Sequence, residues 1–262
     1  MARYQSDRIV DLGRLRRSCG ECSLRTLCLP AGVSKGDIER LDNVVRSRVP
    51  LDRGEALFRS GEAFESLYVI RGGSVRTAQP GGDGDEQVIG FHIAGEIVGL
   101  DAISDDVHHC DAVALERTTV CAVPFGHLET VAAEIPALQR QIHRIISREM
   151  VQDHHHLVAL GRRTARERLA LFLHSLSGRL HGAGYSGTDF RLTMSRDDIA
   201  NYLGLALETV SRLLTRLTEE GVIGVDRRRV IIHDSAALAE IAGQAPDPGA
   251  GRGDSRKHNS AS

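Results

Sequence analysis

The chain of 262 residues has no apolar run approaching the roughly 20 residues that would span a membrane, so no membrane insertion is expected. Its first residues, MARYQSDRIVDLGRLRRSCG, are basic but have no apolar stretch behind them, which argues against a signal peptide and makes a cytoplasmic location the expectation. There is no P-loop and no nucleophile–base constellation, so no enzyme is expected. An even set of cysteines is also missing. The five present, Cys19, Cys22, Cys28, Cys110 and Cys121, argue against a disulfide framework and for metal or redox chemistry. Nor is there a large charge excess, the net charge being −2. The distribution of charge says more. From Met1 to Leu157 there are 18 basic and 23 acidic residues, whereas from Val158 to Asp234 there are 12 arginines against 9 acids. An anionic partner would bind this later, basic part of the chain.

With 41% hydrophobic and 26% charged residues, the chain has the balance of an ordinary globular protein, long enough for two domains. Residues 1–30 read as an arm (1–18) followed by a cysteine cluster and Pro30. Over 31–132 short β-branched and aromatic runs alternate with glycines. LYVIRGGSVRTA reads as strand, Gly-Gly turn and strand, QVIGFHIAGEIVG reads the same way, and PGGDGDE reads as a hairpin tip. Such spacing predicts an antiparallel barrel or jelly roll. Over 133–161 the period turns helical after Pro136, and Ile142, Ile146, Met150, Leu157 and Leu160 share one stripe suited to pairing with a second copy. Asp153 stands in a gap of that stripe. Two such carboxylates facing each other across a homodimer would repel and be partly desolvated, so the charge would oppose association; the plainer reading is that the helix turns Asp153 outward to solvent. Residues 162–240 begin with the helix RERLALFLHSLSGRL, and 245–262 read as a disordered tail.

The most specific passage is LTMSRDDIANYLGLALETVSRLLTRLTEEGVIGVDRRRVIIHD. Ser195 and Asp198 form a capping-box-like pair at the start of a helix ending near Leu203, and Gly204 supplies the turn. A second helix runs from about Leu207 to just before Gly221, with Ala200, Gly204, Val210 and Leu213 at the small or apolar crossing positions. The strands that follow make a wing. The expected fold class is therefore α+β: an antiparallel barrel or jelly roll, a long dimerisation helix and a C-terminal winged helix-turn-helix that binds double-stranded DNA. In such a unit the second helix enters the major groove. Its exposed residues are Glu208, Ser211, Arg212 and Arg216, among which Arg212 could bond guanine O6 and N7 and Glu208 could accept from cytosine N4. The plainer reading is an intrahelical Glu208–Arg212 ion pair worth about 0.2–0.5 kcal/mol. Arg227, Arg228 and Arg229 in the wing would touch phosphate, or simply form a solvated turn.

Cys19, Cys22 and Cys28 are spaced C-x2-C-x5-C, which suits an iron–sulfur cluster, zinc or a thiol–disulfide switch, and spacing alone does not separate these. His108–His109 and His154–His156 read as solvated histidines rather than haem or metal ligands.

Glu208-Thr209-Val210-Ser211-Arg212 resembles the E-x-x-S-R recognition signature of the Fnr branch of the Crp–Fnr family. NYLGL, FRLTMSRDDI, FHIAGEIVGLDAI and TVCAVPF resemble it in the same register, from about Cys19 to Ala242. The resemblance implies a cyclic-nucleotide-binding-like β-roll and an oxygen-labile 4Fe-4S cluster on Cys19, Cys22, Cys28 and Cys121. It implies a target like TTGAT-N4-ATCAA and RNA polymerase as a partner. Cys110 matches no ligand of the family. An acidic residue that opposes dimerisation stands at the place of Asp153. Gly95-Glu96 resembles the start of the family's nucleotide-phosphate cassette. Here, though, the later Arg-Ser pair is replaced by the acidic SDDVHHC, so no cyclic nucleotide is expected.

Overall fold

A computed structural model describes Cys19 and residues 22–45, 47–82 and 84–244; the arm over 1–18 and the tail over 245–262 lie outside the described residues. Ser34 caps the first helix, α1 (Lys35–Val44), by accepting from the Asp37 amide, and the helix buries Ile38, Leu41 and Val44. This helix stands where only strands were expected.

Eight strands follow: β1 (Ser47–Leu51), β2 (Ala56–Phe58), β3 (Ser66–Gly72), β4 (Ser74–Pro80), β5 (Glu86–Ile93), β6 (Ile97–Val98), β7 (Asp111–Ala114) and β8 (Thr118–Pro124). They form two antiparallel sheets, ordered β1-β8-β3-β6 and β2-β7-β4-β5. Ile70, Val98 and Val120 of the first meet Phe58, Val75, Ala112 and Ala114 of the second in one core. The expected hairpin tip joins β4 to β5, with Pro80 opposite Glu86. The Gly-Gly turn does something else. β3 and β4 lie in different sheets, and the chain crosses between them at Gly73. Only glycine fits there: φ is +85°, and a Cβ would stand 2.4 Å from Thr118 Oγ1 and 2.7 Å from its Cα.

After α2 (Phe125–Glu134) comes α3 (Pro136–Arg162), a helix of 27 residues with proline at its start, close to the expected span. Its first turns pack on the roll. Leu138 is fully buried, and Ile142 and Ile145 lie against a core that includes Leu29, Val69, Val123 and Leu128. The expected apolar stripe is therefore divided. Ile142 serves the chain's own core, whereas Met150 and Leu157 remain exposed.

A Thr164–Glu167 capping box opens α4 (Ala165–Gly182). The rest of the module is β9 (Asp189–Arg191), α5 (Arg196–Leu203), α6 (Leu207–Glu219), β10 (Ile223–Asp226), β11 (Arg229–Ile232) and α7 (Ser235–Ile241). Its core, built on Leu169, Leu173, Ile199, Val210 and Leu217, continues without a break into Ala78, Val88, Phe91 and Ile93 of the roll. The histidines at 108–109 and 154–156 are only partly solvated. His109, His154 and His155 are exposed. His108 is 2% exposed and stacks on Phe58 at 3.6 Å, and His156 stacks on Tyr202 at 4.0 Å. Their aromatic neighbours, distant in sequence, draw these rings inward.

Candidate DNA interface and cysteine cluster

Local chemistry fixes the helix pair. Ser195 Oγ accepts from the Asp198 amide while the Asp198 carboxylate accepts from the Ser195 amide, satisfying two otherwise unpaired donors at the start of α5. Gly204 ends α5 in the left-handed region at φ 61°. Three residues later α6 begins, burying Val210, Leu214 and Leu217 and turning the opposite side out.

On that outer side Glu208 and Arg212 are exposed. Among the described residues the Glu208 side chain has no hydrogen-bond or ion-pair partner, and Arg212 only grazes Thr209 Oγ1 at 3.4 Å, so the intrahelical pair does not form. Both groups stand ready for an external partner. Ser211 is half-buried and accepts from Arg196 Nη1 at 3.3 Å. Arg196, the first residue of α5, was not anticipated. Its signal was a basic residue directly after the Ser195 cap, on the side of the turn that faces the second helix. Arg216 is instead tied to Glu220 at 3.0 Å, and Glu220 also binds Arg166.

The wing gives its three arginines different surroundings. Arg227 is exposed at the tip of the β10–β11 turn with φ 54°. Arg228 turns inward and donates to the Thr193 carbonyl at 3.1 Å, and Arg229 makes a two-pronged pair with Asp189 at 2.8 and 2.5 Å. Successive residues of a tight turn point in different directions, so three adjacent arginines do not form one patch.

None of the five cysteines is in a disulfide. Cys121 lies on β8 between Arg48 of β1 and Val69 of β3 in register. Cys28 and Cys121 pack against the same core as the base of α3. Gln141 of α3, 3% exposed, donates to the Cys28 carbonyl at 3.2 Å. Cys19 is anchored through its amide to Asp42 of α1 at 2.6 Å. Burial pushes the Cys28 thiol up to about 12, with further upward pressure from Cys121 and Cys22 that a backbone hydrogen bond partly offsets. Burial also pushes Cys19 up, followed by Asp42, Cys28 and Cys121. Cys19, Cys22, Cys28 and Cys121 thus form one electrostatic neighbourhood. Cys110 stands apart: it is buried, and after burial its thiol is pushed up by Asp101 and Asp111 rather than by another cysteine. Among the described residues no three cysteine, histidine or acidic side chains already stand at metal-ligand separation. The donor set nevertheless fits a metal centre. Crowded, buried thiolates repel one another, and a cationic centre in place of their protons removes that cost.

No described helix is long and apolar enough to cross a membrane. Residues 167–241 match the Crp-like helix-turn-helix domain family and residues 48–134 the Cyclic nucleotide-binding domain family. The chain is 43% identical over 229 residues to the transcriptional activator protein FnrA of Stutzerimonas stutzeri, covering 87% of this chain and 94% of that protein. It is 39% identical over 243 residues to the anaerobic regulatory protein of Haemophilus influenzae, covering 93% and 95%. Among solved structures it is similar to FixK2 from Bradyrhizobium japonicum, with 32% identity, a TM-score of 0.70, and 76% of this chain and 98% of that one covered. The two family matches take in the roll and the helix-turn-helix, the relatives match over most of the chain, and the chain belongs to the Crp–Fnr family of DNA-binding transcription regulators, alongside the Fnr-type activators.

Proposed function

We propose that this regulator senses oxygen through a 4Fe-4S cluster held by Cys19, Cys22, Cys28 and Cys121, and that it binds a palindrome like TTGAT-N4-ATCAA as a homodimer when oxygen is absent. In this reading residues 1–30 carry the ligand loop, 31–132 the sensory roll, 133–161 the dimerisation helix and 162–240 the DNA-binding domain. The observation that carries it is the joining of ligand loop to helix: Gln141 of α3 bonds the Cys28 carbonyl, and Cys28, Cys121 and Ile142 share one core. Movement of the loop therefore bears directly on the base of the helix whose Met150 and Leu157 await a second copy. Bound there, the cluster would supply an iron–sulfur core that oxygen destroys. The names of the relatives, an activator and an anaerobic regulatory protein, support the same reading.

On DNA, Glu208 and Arg212 read base edges, Ser211 is held in place by Arg196, and Arg227 meets phosphate. The protein works in the cytoplasm and engages RNA polymerase from its DNA site. It takes no cyclic nucleotide, because the acidic stretch around Asp105 and Asp106 would repel a phosphate. The test is protein purified without air. It should carry about four iron and four labile sulfides per chain and bind the palindrome as a dimer, losing both properties on exposure to air. Colourless, zinc-loaded protein that binds DNA equally well in air would refute it.

A further inference from the structure

The DNA-binding domain is held to the roll by more than the short turn between α3 and α4. Arg179 of α4 grips Glu96, which follows β5, with two hydrogen bonds of 2.7 and 2.6 Å, and it also donates to the Phe91 carbonyl. Glu96 accepts in turn from the Ile93 amide at 2.9 Å, so the carboxylate is fixed before the guanidinium meets it. This is the two-pronged geometry in which arginine gives orientation as well as attraction. Glu149 of α3 adds a second carboxylate to the field around Arg179. Arg179 and Glu96 thus join the DNA-binding domain to the roll, and the charge of Glu149 on the long helix acts on the same guanidinium.

A second clasp lies farther out, on the first helix of the helix-turn-helix itself. Asn201 accepts from the Val88 amide at 2.6 Å and donates to the Glu86 carbonyl at 2.8 Å. Gln87 donates to the Asn201 carbonyl at 2.9 Å. All of the hairpin groups belong to β5. Between the two clasps Phe91 packs against Phe172 and Tyr202, with ring centroids 5.9 and 5.2 Å apart.

We infer that Arg179, Glu96 and Asn201 are positioning residues for DNA recognition, setting the separation and facing of the two recognition helices on a palindrome. The inference rests on the proposed dimer and adds to it what fixes the heads. Two half-sites one helical turn apart are engaged together only if the heads are held at matching separation. A head on a single hinge samples many orientations, which lowers the effective concentration at which the second head meets its half-site. Attachment at the hinge, at Glu96 and along β5 leaves no free rotation about the α3–α4 turn. None of the three residues lies on the outward face of α6, so they act through orientation rather than contact with bases.

The experiment compares full-length wild type, Arg179→Met, Glu96→Gln and Asn201→Ala, purified without air. Each is titrated with four duplexes: the palindrome with a four-base-pair spacer, one with the spacer a pair longer, one with it a pair shorter, and a single half-site. Wild type should favour the four-pair spacer. The variants should lose roughly tenfold or more on it, bind all spacers alike, and keep half-site affinity within about twofold. A variant that merely fails to fold loses the half-site too. Amide exchange of Val88 in iron-free protein is the second readout and needs neither dimer nor DNA. Arg179→Met should accelerate it about tenfold or more, because release at Glu96 loosens the whole hairpin contact. Spacer preference retained in all three variants would overturn the inference. If wild type itself shows no spacer preference, the palindromic dimer fails, and Val88 exchange decides alone: unchanged exchange in Arg179→Met overturns the joint.

Discussion

Alanine at Asp153 should let the iron-free chain dimerise in air. The magnitude follows from what α3 exposes. Met150 and Leu157 are 54% and 64% exposed, so a second copy would cover more than half of each. At roughly 1.5–3 kcal/mol for complete burial of such a side chain, these four residues across a dimer contribute about 4–7 kcal/mol. Asp153 lies between them and is exposed in the single chain. Two such carboxylates about 6 Å apart, at an effective dielectric near 20, repel by about 3 kcal/mol before desolvation is counted. That opposes a large part of the apolar gain, and partial burial already pushes the Asp153 carboxyl above its usual range, against the pull of His156 and His154. Removing both charges should therefore tighten the dimer about a hundredfold. Sedimentation velocity of aerobic, iron-free wild type, Asp153→Ala and Asp153→Asn, over a concentration series, measures this directly. The asparagine variant keeps the size and loses the charge, so it should follow alanine. If both sediment as wild-type monomer, charge does not set the threshold; if alanine dimerises and asparagine does not, bulk rather than charge is responsible.

Serine at Cys121 should abolish iron binding and serine at Cys110 should preserve it, read as iron and sulfide per chain; the reverse pattern overturns the ligand set. Alanine at Arg212 or Glu208 should cost roughly 1–3 kcal/mol on the specific site and relax preference at one base pair per half-site. Alanine at Arg227 should instead weaken binding to all sequences and lower the salt slope, and an equal loss on specific and random DNA for Arg212→Ala would make that residue a phosphate contact too. Glu149 should give stability a pH dependence. Burial, then Glu96 and Asp153, push its carboxyl up to about 7 from an ordinary 4.5, so folding must ionise it at a cost that grows as pH rises from 4.5 to 7 and stays constant above. Because its side chain is 35% exposed, solvent screening limits that cost to about 1 kcal/mol. Glu149→Gln should therefore raise the urea midpoint at pH 8 and not at pH 4, and a midpoint shifted equally at both would disprove the assignment. His92, held down to about 4 chiefly by burial, works the other way, its contribution being present above 6.5 and lost as pH falls toward 4.

What could be read in the sequence was what neighbours in the chain decide. The cap at Ser195, the glycine stop at Gly204 and the proline start of α3 each act within one turn of helix, so residue type and spacing carry the information. The helix-turn-helix is built almost wholly of such signals, and its boundaries were legible to within a residue or two. Pairings across long stretches of chain were not. Gly73 looks like any hairpin glycine until Thr118, 45 positions later, comes to lie against it. Helical period shows that Ile142 and Met150 share a stripe, yet not that the first meets the chain's own barrel and the second meets solvent. Arg228 and Arg227 are identical in the text, and only the carbonyl of Thr193 separates their roles. The same limit hid Arg179 and Glu96, which lie 83 positions apart, and Asn201, which lies 113 from Val88. In this regulator the surface proposed to meet DNA is written locally, while the pairing of Cys28 with Cys121 and the contacts that would make the proposed metal site and the DNA surface answer to each other are long-range. Substitutions in the motifs should therefore abolish a function outright, and substitutions at the joints should leave each function intact and uncouple them.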